Sequence, residues 1–345
     1  MSIQIFTNRV SKGENLPYED MVQAVEYVFN EDTPKDEIAD FLIGLSAKGE
    51  TAEEIAALAT VMKSNAIEIS VPEGTYLDNC GTGGDGLKSF NISTTSAFVL
   101  AASDVSVAKH GNRKISSASG SSDVLQALGI HTDFTIDDSV DMLKKEGITF
   151  LFAPNVHPKL KRIGEIRRAI GRPTIFNMTG PLTNPVDLKA QIVGINRRDF
   201  VTNYAEVLKI LGRKRAIVVS GTQGMDEASL GNDNKFALLD DGEITPFHLH
   251  MEDLGLSPAP VEALRGGTPE ENAVILVDLL KGKQSAYFDA VILNAGIGLF
   301  AYGKVDSIRE GVEMARDSIL SGRALCKLES VIEFSQGILK ERAVH

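Results

Sequence analysis

Up to residue 70, hydrophobic residues recur at three- and four-residue spacing, which is typical of one face of an α-helix. This periodicity predicts helices over residues 20–29, 35–46 and 52–62. Local signals agree, because Pro34 stands where a first helical residue is expected, and Thr51 and Glu54 have the spacing of a capping box. The pattern predicts a small N-terminal helical domain over residues 1–72.

Beyond residue 72, short β-branched runs alternate with stretches of helical periodicity. The strand-like runs lie at residues 76–79, 105–109, 149–152, 191–195, 215–220, 236–239 and 290–293. The helical stretches lie at residues 95–102, 122–128, 139–146, 200–211 and 270–280. This alternation predicts a larger α/β domain over residues 73–345, with a mainly parallel central sheet flanked by helices. Ligands of such sheets bind beyond the carboxyl ends of the strands.

An irregular segment at residues 172–187, rich in proline, threonine and asparagine, interrupts the α/β pattern. It is either a hinge or an excursion of the chain. We expect part of residues 172–190 to join the N-terminal helical domain.

Composition argues against several classes of protein. A length of 345 residues exceeds the size of one hydrophobic core, which agrees with two domains. The formal net charge of −12 disfavours a nucleic-acid partner. No run of about 18 apolar residues is present, so we expect no membrane partner. Two distant cysteines, Cys80 and Cys326, and no signal-peptide pattern favour a reducing, cytoplasmic location.

A glycine-rich stretch, GTGGDG at residues 81–86, follows the first predicted strand. Glycines allow backbone N–H groups to converge on phosphate oxygens. The stretch also fits a dinucleotide-binding pattern, but that site needs a helix opening at the loop and an acidic end to the second strand. Here the helix starts later, near Ser93, and the second strand ends in Lys109 and His110. A phosphate-binding loop is favoured over a dinucleotide site or a plain tight turn.

A basic turn, KHGNRK at residues 109–114, ends the next predicted strand and leads into the serine-rich stretch 115–123. Four basic or potentially basic side chains lie within these six positions of an acidic protein, at the edge of the sheet where the glycine-rich loop is expected. Serine hydroxyls and backbone N–H groups donate hydrogen bonds to oxyanions. The turn is therefore a candidate phosphate site, although a solvated surface run is the plainer alternative.

Taken in their order along the chain, these motifs and several others resemble the sequences of the anthranilate phosphoribosyltransferase family. The resemblance covers residues 81–85 (GTGGD), 91–94 (NIST), 109–113 (KHGNR), 116–123, 157–158 (HP), 180–185 (GPLTNP) and 226–227 (DE). It runs from the N-terminal helices almost to the C-terminus. The related pyrimidine nucleoside phosphorylases share the architecture but have a Lys-Met-Ser-Gly-Arg type sequence at the basic turn. The chain is more similar to the transferases.

The resemblance implies an enzyme of tryptophan biosynthesis that joins anthranilate to 5-phosphoribosyl-1-diphosphate and releases pyrophosphate. The residues it implies for the sugar diphosphate are Gly81, Gly84, Asp85, Ser89, Asn91, Ile92, Ser93, Thr94, Lys109, His110, Gly111, Asn112, Arg113, Lys114, Ile115, Ser116, Ser117 and Ser121. Those for anthranilate are Gly81, His110, Asn112 and Arg167. The resemblance also implies two catalytic residues. Lys109 would stabilise charge on the leaving oxygens, and Arg167 would bind the carboxylate of the acceptor.

A magnesium cofactor, expected as two ions, is implied at Ser93, Asp226 and Glu227. The chemistry of the residues agrees, because Mg²⁺ prefers oxygen ligands and combines one or two carboxylates with substrate phosphate oxygens. Asp226 and Glu227 also follow the predicted strand 215–220, at the edge where ligands are expected. A solvated loop is the alternative for such a pair.

Three alternatives stay open. Departures from the family's usual sequence at Leu160, Arg172-Pro173 and Met178-Thr179 allow a relative that uses another aromatic amine. A pyrimidine nucleoside phosphorylase-like enzyme would consume a nucleoside and inorganic phosphate. A relative without catalysis would bind nucleic acid, against which the net charge and the acidic pair argue. The family forms homodimers through its helical domain, so we expect a homodimer.

Overall fold

A computed structural model describes residues 2–112 and 119–344, with side chains as far as residue 342. It begins with four helices, α1 (Gln4–Ser11), α2 (Tyr18–Phe29), α3 (Lys35–Lys48) and α4 (Ala52–Ser64). The three predicted N-terminal helices are confirmed as α2, α3 and α4, and Thr51 and Glu54 form the expected capping box. Pro34 is the N-cap of α3 and not its first helical residue.

Seven strands form the central sheet: β1 (Leu77–Asp78), β2 (Val107–Gly111), β3 (Ile148–Phe152), β4 (Ala190–Gly194), β5 (Arg215–Ser220), β6 (Lys235–Asp240) and β7 (Glu243–Phe247). Their order is β3-β2-β1-β4-β5-β6-β7. The first five strands in this order are parallel, and β6 and β7 are added antiparallel at one edge. The predicted mainly parallel sheet is confirmed, and β1 lies in the middle of its five parallel strands.

Ten further helices belong to the α/β part: α5 (Ile92–Ala101), α6 (Ser121–Ala127), α7 (Ile136–Glu146), α8 (Ala153–Val156), α9 (Leu160–Ile170), α10 (Val201–Ile210), α11 (Pro269–Leu280), α12 (Ala286–Tyr302), α13 (Ile308–Leu320) and α14 (Arg323–Val344). Within the described residues, none of the helices is both long and apolar enough to cross a membrane.

The strand predicted at residues 290–293 is wrong, because these residues lie inside helix α12. This helix is buried on nearly all sides, so its sequence is mostly apolar, with few polar residues such as Asp289 and Asn294, and it has no helical periodicity. A short apolar run of this kind does not distinguish a buried strand from a buried helix. Strand β7 was missed for the opposite reason, because it is a largely exposed edge strand with few apolar residues.

The sheet separates two hydrophobic clusters. Successive residues of β5 alternate between them: Ile217 and Val219 pack with α5 and α12, whereas Ala216 and Val218 pack with α10 and the N-terminal helices. This alternation follows from the opposite orientation of neighbouring side chains in a strand. The N-terminal helices therefore pack on one face of the sheet. The sequence predicted a small helical domain and a larger α/β domain, but not this packing.

The irregular segment forms two short 3₁₀ turns, Ile175–Met178 and Gly180–Thr183. Ile175, Phe176 and Leu182 are buried in the cluster that contains the N-terminal helices. These contacts agree with an excursion toward the helical domain, and the boundaries 1–72 and 73–345 stay predictions.

Candidate active site

The glycine-rich loop follows β1 and contains three residues with positive φ. Gly83, Gly84 and Gly86 have φ of 71°, 81° and 72°, a conformation that glycine adopts without steric cost. The N–H of Thr82 donates to the carbonyl of Gly194 at 2.8 Å. The N–H of Gly83 donates to Oδ2 of Asp226 at 2.6 Å. The loop is thus held against the end of β4 and against the acidic pair.

Two glycines leave the space that Asp226 occupies. A Cβ on Gly194 would lie 1.6 Å from the carbonyl oxygen of Asp226, and a Cβ on Gly81 would lie 2.4 Å from its Oδ2. Both distances are below 3.0 Å, which real Cβ atoms essentially never show. Asp226 therefore lies between two positions that only glycine fits.

Three carboxylates meet beside this loop. Glu227 accepts from the N–H of Ser93 at 3.0 Å and from the hydroxyl of Ser89 at 3.5 Å. The carboxylate of Asp85 accepts from the N–H of Asp226 at 3.4 Å. The glycine-rich loop, the N-terminus of α5 and the segment after β5 therefore converge on one acidic centre.

The acidic pair lies in an electrostatically unfavourable place. Burial, followed by the charge of Asp85, raises the pKa of Asp226 to about 7. Burial, followed by the charges of Asp226 and Asp85, raises the pKa of Glu227 well above its ordinary value. Among the described residues, no lysine or arginine forms an ion pair with either carboxylate. A cation bound here would add positive charge to that of Lys109, which acts to lower the pKa of Glu227.

Lys109 is connected to this centre by polar contacts. It lies on β2, is 2 % exposed, and its ammonium donates to Oδ1 of Asn79 at 3.0 Å and to the Asn79 carbonyl at 3.4 Å. Nδ2 of Asn79 donates to the carbonyl of Ser93 at 2.8 Å. Because the N–H of Ser93 contacts Glu227, one chain of contacts joins Lys109 to the acidic pair.

The other predicted residues at the start of α5 have different surroundings. Nδ2 of Asn91 donates to the carbonyl of Ser119 at 3.4 Å, toward the basic turn. Ile92 is fully buried in the core and its N–H donates to the carbonyl of Phe90 at 2.7 Å. The hydroxyl of Thr94 is buried and has no partner within the described part of the chain. The predicted sugar-diphosphate contacts of Asn91, Ile92 and Thr94 stay predictions.

The end of β2 lies close to the start of α6. A Cβ on Gly111 would lie 2.4 Å from the hydroxyl oxygen of Ser121. That hydroxyl accepts from the N–H of Asn112 at 3.2 Å and lies 3.1 Å from its carbonyl, to which it donates. Gly111, Asn112 and Ser121 therefore form one turn. The predicted residues Arg113, Lys114, Ile115, Ser116 and Ser117 lie outside the described residues.

His110 lies beside the segment 180–184. Its Nδ1 is 2.9 Å from the carbonyl of Gly180, so Nδ1 carries the proton and donates. Its Nε2 is buried and has no partner among the residues described here. The ring packs edge-to-face on His157, whose Nε2 donates to the carbonyl of Thr183 at 2.9 Å. Burial lowers the pKa of each histidine to about 4, so both are neutral near pH 7.

Arg167 lies near the C-terminus of α9, apart from the acidic centre. Its Nη2 donates to Oδ1 of Asn177 at 3.1 Å, and its guanidinium lies 5.6 Å from the centre of the Phe176 ring. Burial lowers the pKa of this arginine. Arg167 and His110 thus contact successive 3₁₀ turns of the segment 175–183, which connects the two parts of the predicted acceptor site.

Three polar residues in this region were missed by the sequence analysis: Asp78, Asn79 and Asn184. Asp78 is fully buried and accepts from the N–H of His110 at 3.2 Å and from Nδ2 of Asn184 at 3.0 Å. Its burial raises its pKa to about 6, and the charge of Lys109 acts in the opposite direction. The available signal was two polar residues in succession at the end of a buried strand, directly before the glycine-rich loop.

The residues of the acidic centre fit a magnesium ion. Their donors are carboxylate and hydroxyl oxygens, which Mg²⁺ prefers, and buried carboxylates without cationic partners favour a cation. Within the described residues, the structure contains no group of three or more side chains already arranged as metal ligands. Mg²⁺ commonly combines one or two protein carboxylates with oxygens of its substrate.

Two family models match most of the chain. The model described as the helical bundle domain of a glycosyl transferase family matches residues 4–66, and its a/b domain matches residues 73–325. The chain is also 53 % identical to the anthranilate phosphoribosyltransferase of Exiguobacterium sibiricum, covering 95 % of this chain and 97 % of that protein. The chain belongs to the anthranilate phosphoribosyltransferase family. Its relative from Listeria monocytogenes is 52 % identical over 98 % of this chain and 99 % of the relative.

Solved anthranilate phosphoribosyltransferase structures have the same fold. That of Thermus thermophilus has a TM-score of 0.90 at 38 % identity and covers 96 % of this chain and 99 % of its own. That of Saccharomyces cerevisiae, in complex with 5-phosphoribosyl-1-diphosphate (PRPP) and Mg, has a TM-score of 0.88 at 26 % identity and covers 97 % and 98 %. This member of the anthranilate phosphoribosyltransferase family is therefore an enzyme of the phosphoribosyl-transferring class.

Proposed function

We propose that the protein transfers the phosphoribosyl group of PRPP to the amine of anthranilate, with release of pyrophosphate, in tryptophan biosynthesis. The observation that carries this proposal is the chain of contacts from Lys109 through Asn79 and Ser93 to Glu227, beside the glycine-rich loop. It combines a cation, a helix N-terminus and an acidic centre, which together suit a diphosphate and its metal. Relatives that are 53 % and 52 % identical support the same activity.

We assign the diphosphate to the surface between the glycine-rich loop and Lys109. Gly83 and Gly84 are exposed, and their positive φ values turn backbone groups toward solvent. Lys109 has three ammonium protons, and its contacts with Asn79 leave donor capacity for a phosphate oxygen. The other residues predicted for the sugar diphosphate retain that role in the proposal.

We assign magnesium, as two ions, to Ser93, Asp226 and Glu227. The yeast relative whose structure contains PRPP and Mg supports this use of the metal. The metal, when bound, would neutralise negative charge on the diphosphate. The protein's own contribution is to hold two buried carboxylates beside the phosphate-binding loop.

We assign the acceptor to the region around Gly81, His110, Asn112 and Arg167. The guanidinium of Arg167 makes one hydrogen bond, so donors remain for a carboxylate. The unpartnered Nε2 of neutral His110 can accept a hydrogen bond from the acceptor amine. A relative of this chain, the yeast variant in complex with 4-fluoroanthranilate, supports an aromatic amino acid of this type.

The departures from the usual family sequence do not alter this assignment. Leu160 and Met178 pack with the cluster beneath the N-terminal helices, and the hydroxyl of Thr179 donates to the carbonyl of Phe176. Arg172 and Pro173 are exposed. Packing, a local hydrogen bond or exposure accounts for each of these side chains, and the relatives that are 53 % and 52 % identical support anthranilate as the acceptor.

In the proposed reaction, the bond between C1′ of the ribose and the pyrophosphate oxygen breaks as the anthranilate nitrogen forms a bond to C1′. The bonding electrons leave with pyrophosphate, and the nitrogen loses a proton after attack. Lys109 stabilises charge that develops on the leaving oxygens. An aniline-type nitrogen is already neutral near pH 7, so orientation by Arg167 and His110 supplies much of the rate.

Incubation of the protein with anthranilate, PRPP and Mg²⁺ is expected to consume anthranilate and release pyrophosphate in equal amounts. Loss of anthranilate fluorescence measures the consumed substrate, and a coupled pyrophosphate assay measures the released product independently. Parallel reactions with pyrimidine nucleosides and inorganic phosphate, and with other aromatic amines, serve as controls. Phosphorolysis of nucleosides, with no release of pyrophosphate from PRPP in the presence of anthranilate, would contradict the proposal.

We also propose that the protein is a cytoplasmic homodimer that associates through its helical domain. The exposed hydrophobic residues Ile5 and Ile67, at 47 % and 39 % exposure, both belong to this domain. Analytical ultracentrifugation at micromolar concentration is expected to show a dimer, and Ile5→Glu to shift it toward monomer. A wild-type monomer at these concentrations would disprove the dimer.

A further inference from the structure

Two asparagine side chains hold the backbone that directly follows the acidic pair. Asn294 belongs to α12, and Asn234 directly precedes β6. Both are buried, at 7 % and 2 % exposure. Neither is part of the predicted site, and the reaction proposed above gives neither a role.

Asn294 binds both backbone groups of Ala228. Its Oδ1 accepts from the Ala228 N–H at 3.1 Å, and its Nδ2 donates to the Ala228 carbonyl at 2.8 Å. Nδ2 also donates to the carbonyl of Ala290, one turn earlier in α12, at 2.8 Å. A small cavity that Asn294 lines is also lined by Asp226 and Glu227. The residue after Glu227 is therefore fixed to a long buried helix.

Asn234 binds the next residue, Ser229, in the same way. Its Oδ1 accepts from the N–H of Ser229 at 3.0 Å and from its hydroxyl at 2.9 Å. Its Nδ2 donates to the carbonyls of Ser229 and Gly231 at 3.0 and 2.6 Å. These four contacts use the full hydrogen-bonding capacity of the amide.

The hydroxyl of Ser229 extends this network to the turn before the acidic pair. It accepts from the N–H of Thr222 at 3.1 Å and from the N–H of Gly231 at 3.3 Å. The backbone on both sides of Asp226 and Glu227 is thus fixed by buried polar groups of neighbouring residues.

This fixation of the backbone adds to the hydrogen bonds that the two carboxylates accept from the N–H groups of Gly83 and Ser93. Asp226 and Glu227 are buried beside Asp85, so like charges oppose their approach when ionised. No lysine or arginine of the described ranges pairs with them. A flexible backbone would let the carboxylates move apart, and preorganised ligands would be lost.

We propose that Asn294 and Asn234 are positioning residues that hold Asp226 and Glu227 in place for the metal–diphosphate complex. The proposal rests on the assignment of these carboxylates to the metal in the proposed function. It predicts that loss of these asparagine side chains weakens the binding of Mg²⁺ more than the binding of anthranilate.

Asn294→Leu, which preserves size and removes all three hydrogen bonds, tests the proposal. Calorimetric titration of the protein with Mg²⁺ and inorganic pyrophosphate is expected to show about tenfold weaker Mg²⁺ binding, the scale of losses around metal ligands. The KM for anthranilate at saturating Mg²⁺ is expected to change less than about twofold, because Asn294 has no contact with Arg167 or His110.

Ser335→Ala is the matched control. Ser335 is a fully buried residue of α14 whose hydroxyl likewise accepts from a backbone N–H, that of His131, at 2.9 Å. Both variants are expected to lower Tm, but only Asn294→Leu is expected to weaken Mg²⁺ binding. Equal Mg²⁺ affinities in the two variants would overturn the proposal and leave Asn294 a purely structural residue.

Ser229→Ala gives a milder change if Asn294→Leu does not fold. It removes one oxygen, and we expect about threefold weaker Mg²⁺ binding from the loss of neutral hydrogen bonds. An affinity equal to that of the wild type would also overturn the proposal. Since the titration uses no anthranilate, a failure of anthranilate turnover would contradict the proposed function alone, and the comparison of variants would still decide this inference.

Discussion

Glu227→Ala is expected to raise the Mg²⁺ concentration for half-maximal activity at least about 100-fold, because it removes a direct ligand in the proposed site and losses around metal ligands already reach this size. Glu227 meets the N-terminus of α5 through Ser93 and the loop before it through Ser89. Loss of the Glu227 carboxylate therefore affects the place where the glycine-rich loop, the N-terminus of α5 and the segment after β5 converge. Initial rates over a Mg²⁺ titration at fixed PRPP measure the change.

Two further variants isolate the charge of Glu227 from its structural contact. Glu227→Gln retains an oxygen that accepts from the N–H of Ser93, and we expect most of the Mg²⁺ effect to remain. Asp233→Ala removes a nearby exposed carboxylate that pairs with Arg198, and we expect little change. An unaltered metal titration in Glu227→Ala would disprove the assignment.

The pKa of Glu227 adds a second expectation for the same variant. Burial and neighbouring carboxylates raise this pKa in the folded protein, so the folded state binds the proton more tightly than the unfolded state. The contribution of Glu227 to stability is therefore lost as the pH rises above the ordinary glutamate value. Without metal at pH 8, Glu227→Gln is therefore expected to have a higher Tm than the wild type. With Mg²⁺ and both substrates present, the same variant is expected to be less active.

Arg167→Ala is expected to raise the KM for anthranilate by about 10- to 100-fold, the equivalent of one lost charge-assisted hydrogen bond of about 1.5–3 kcal/mol. The KM for PRPP is expected to change less than about twofold, since Arg167 contacts the segment 175–178 and has no contact with the acidic centre. Initial-rate kinetics with each substrate varied in turn measure the two constants.

Arg168→Ala is the matched control for this prediction. Arg168 is the next residue on the same helix and is exposed, so its removal changes the net charge equally. We expect both KM values of this variant to stay near those of the wild type. Equal increases for both substrates in Arg167→Ala would contradict a carboxylate-binding role.

The sequence predicted most of the fold because most elements have either helical periodicity or a recognisable β-branched run. Helices α2 to α4 have one buried and one more exposed face, so their periodicity identifies them. Strand β5 is identified by its β-branched run. Helix α12 was mistaken for a strand because it is apolar on every face. Strand β7 was missed because a solvated edge strand requires few apolar residues. In α12 burial on nearly all sides removes the periodic pattern of apolar and polar residues, and in β7 exposure of most residues removes it.

The site was predicted in part, and the reason is again physical. Glycines, cations and carboxylates stand out in a sequence because their chemistry suggests phosphate and metal directly. The amides of Asn79, Asn184, Asn234 and Asn294 do not, because asparagine is equally common in turns and at helix ends. Their roles depend on backbone groups that are distant in sequence, such as Ala228 for Asn294, 66 residues away. Only the folded chain shows these partners.

The position of Asp226 between Gly81 and Gly194 limits which alleles of the gene are expected to be functional. Every residue other than glycine has a Cβ, and at position 194 that atom alone would meet the carbonyl oxygen of Asp226. Even alanine, the smallest residue with a Cβ, is then expected to displace the backbone of Asp226. Codon 194 therefore has two classes of allele, glycine and all others, whereas an ordinary core position grades its substitutions by size and polarity.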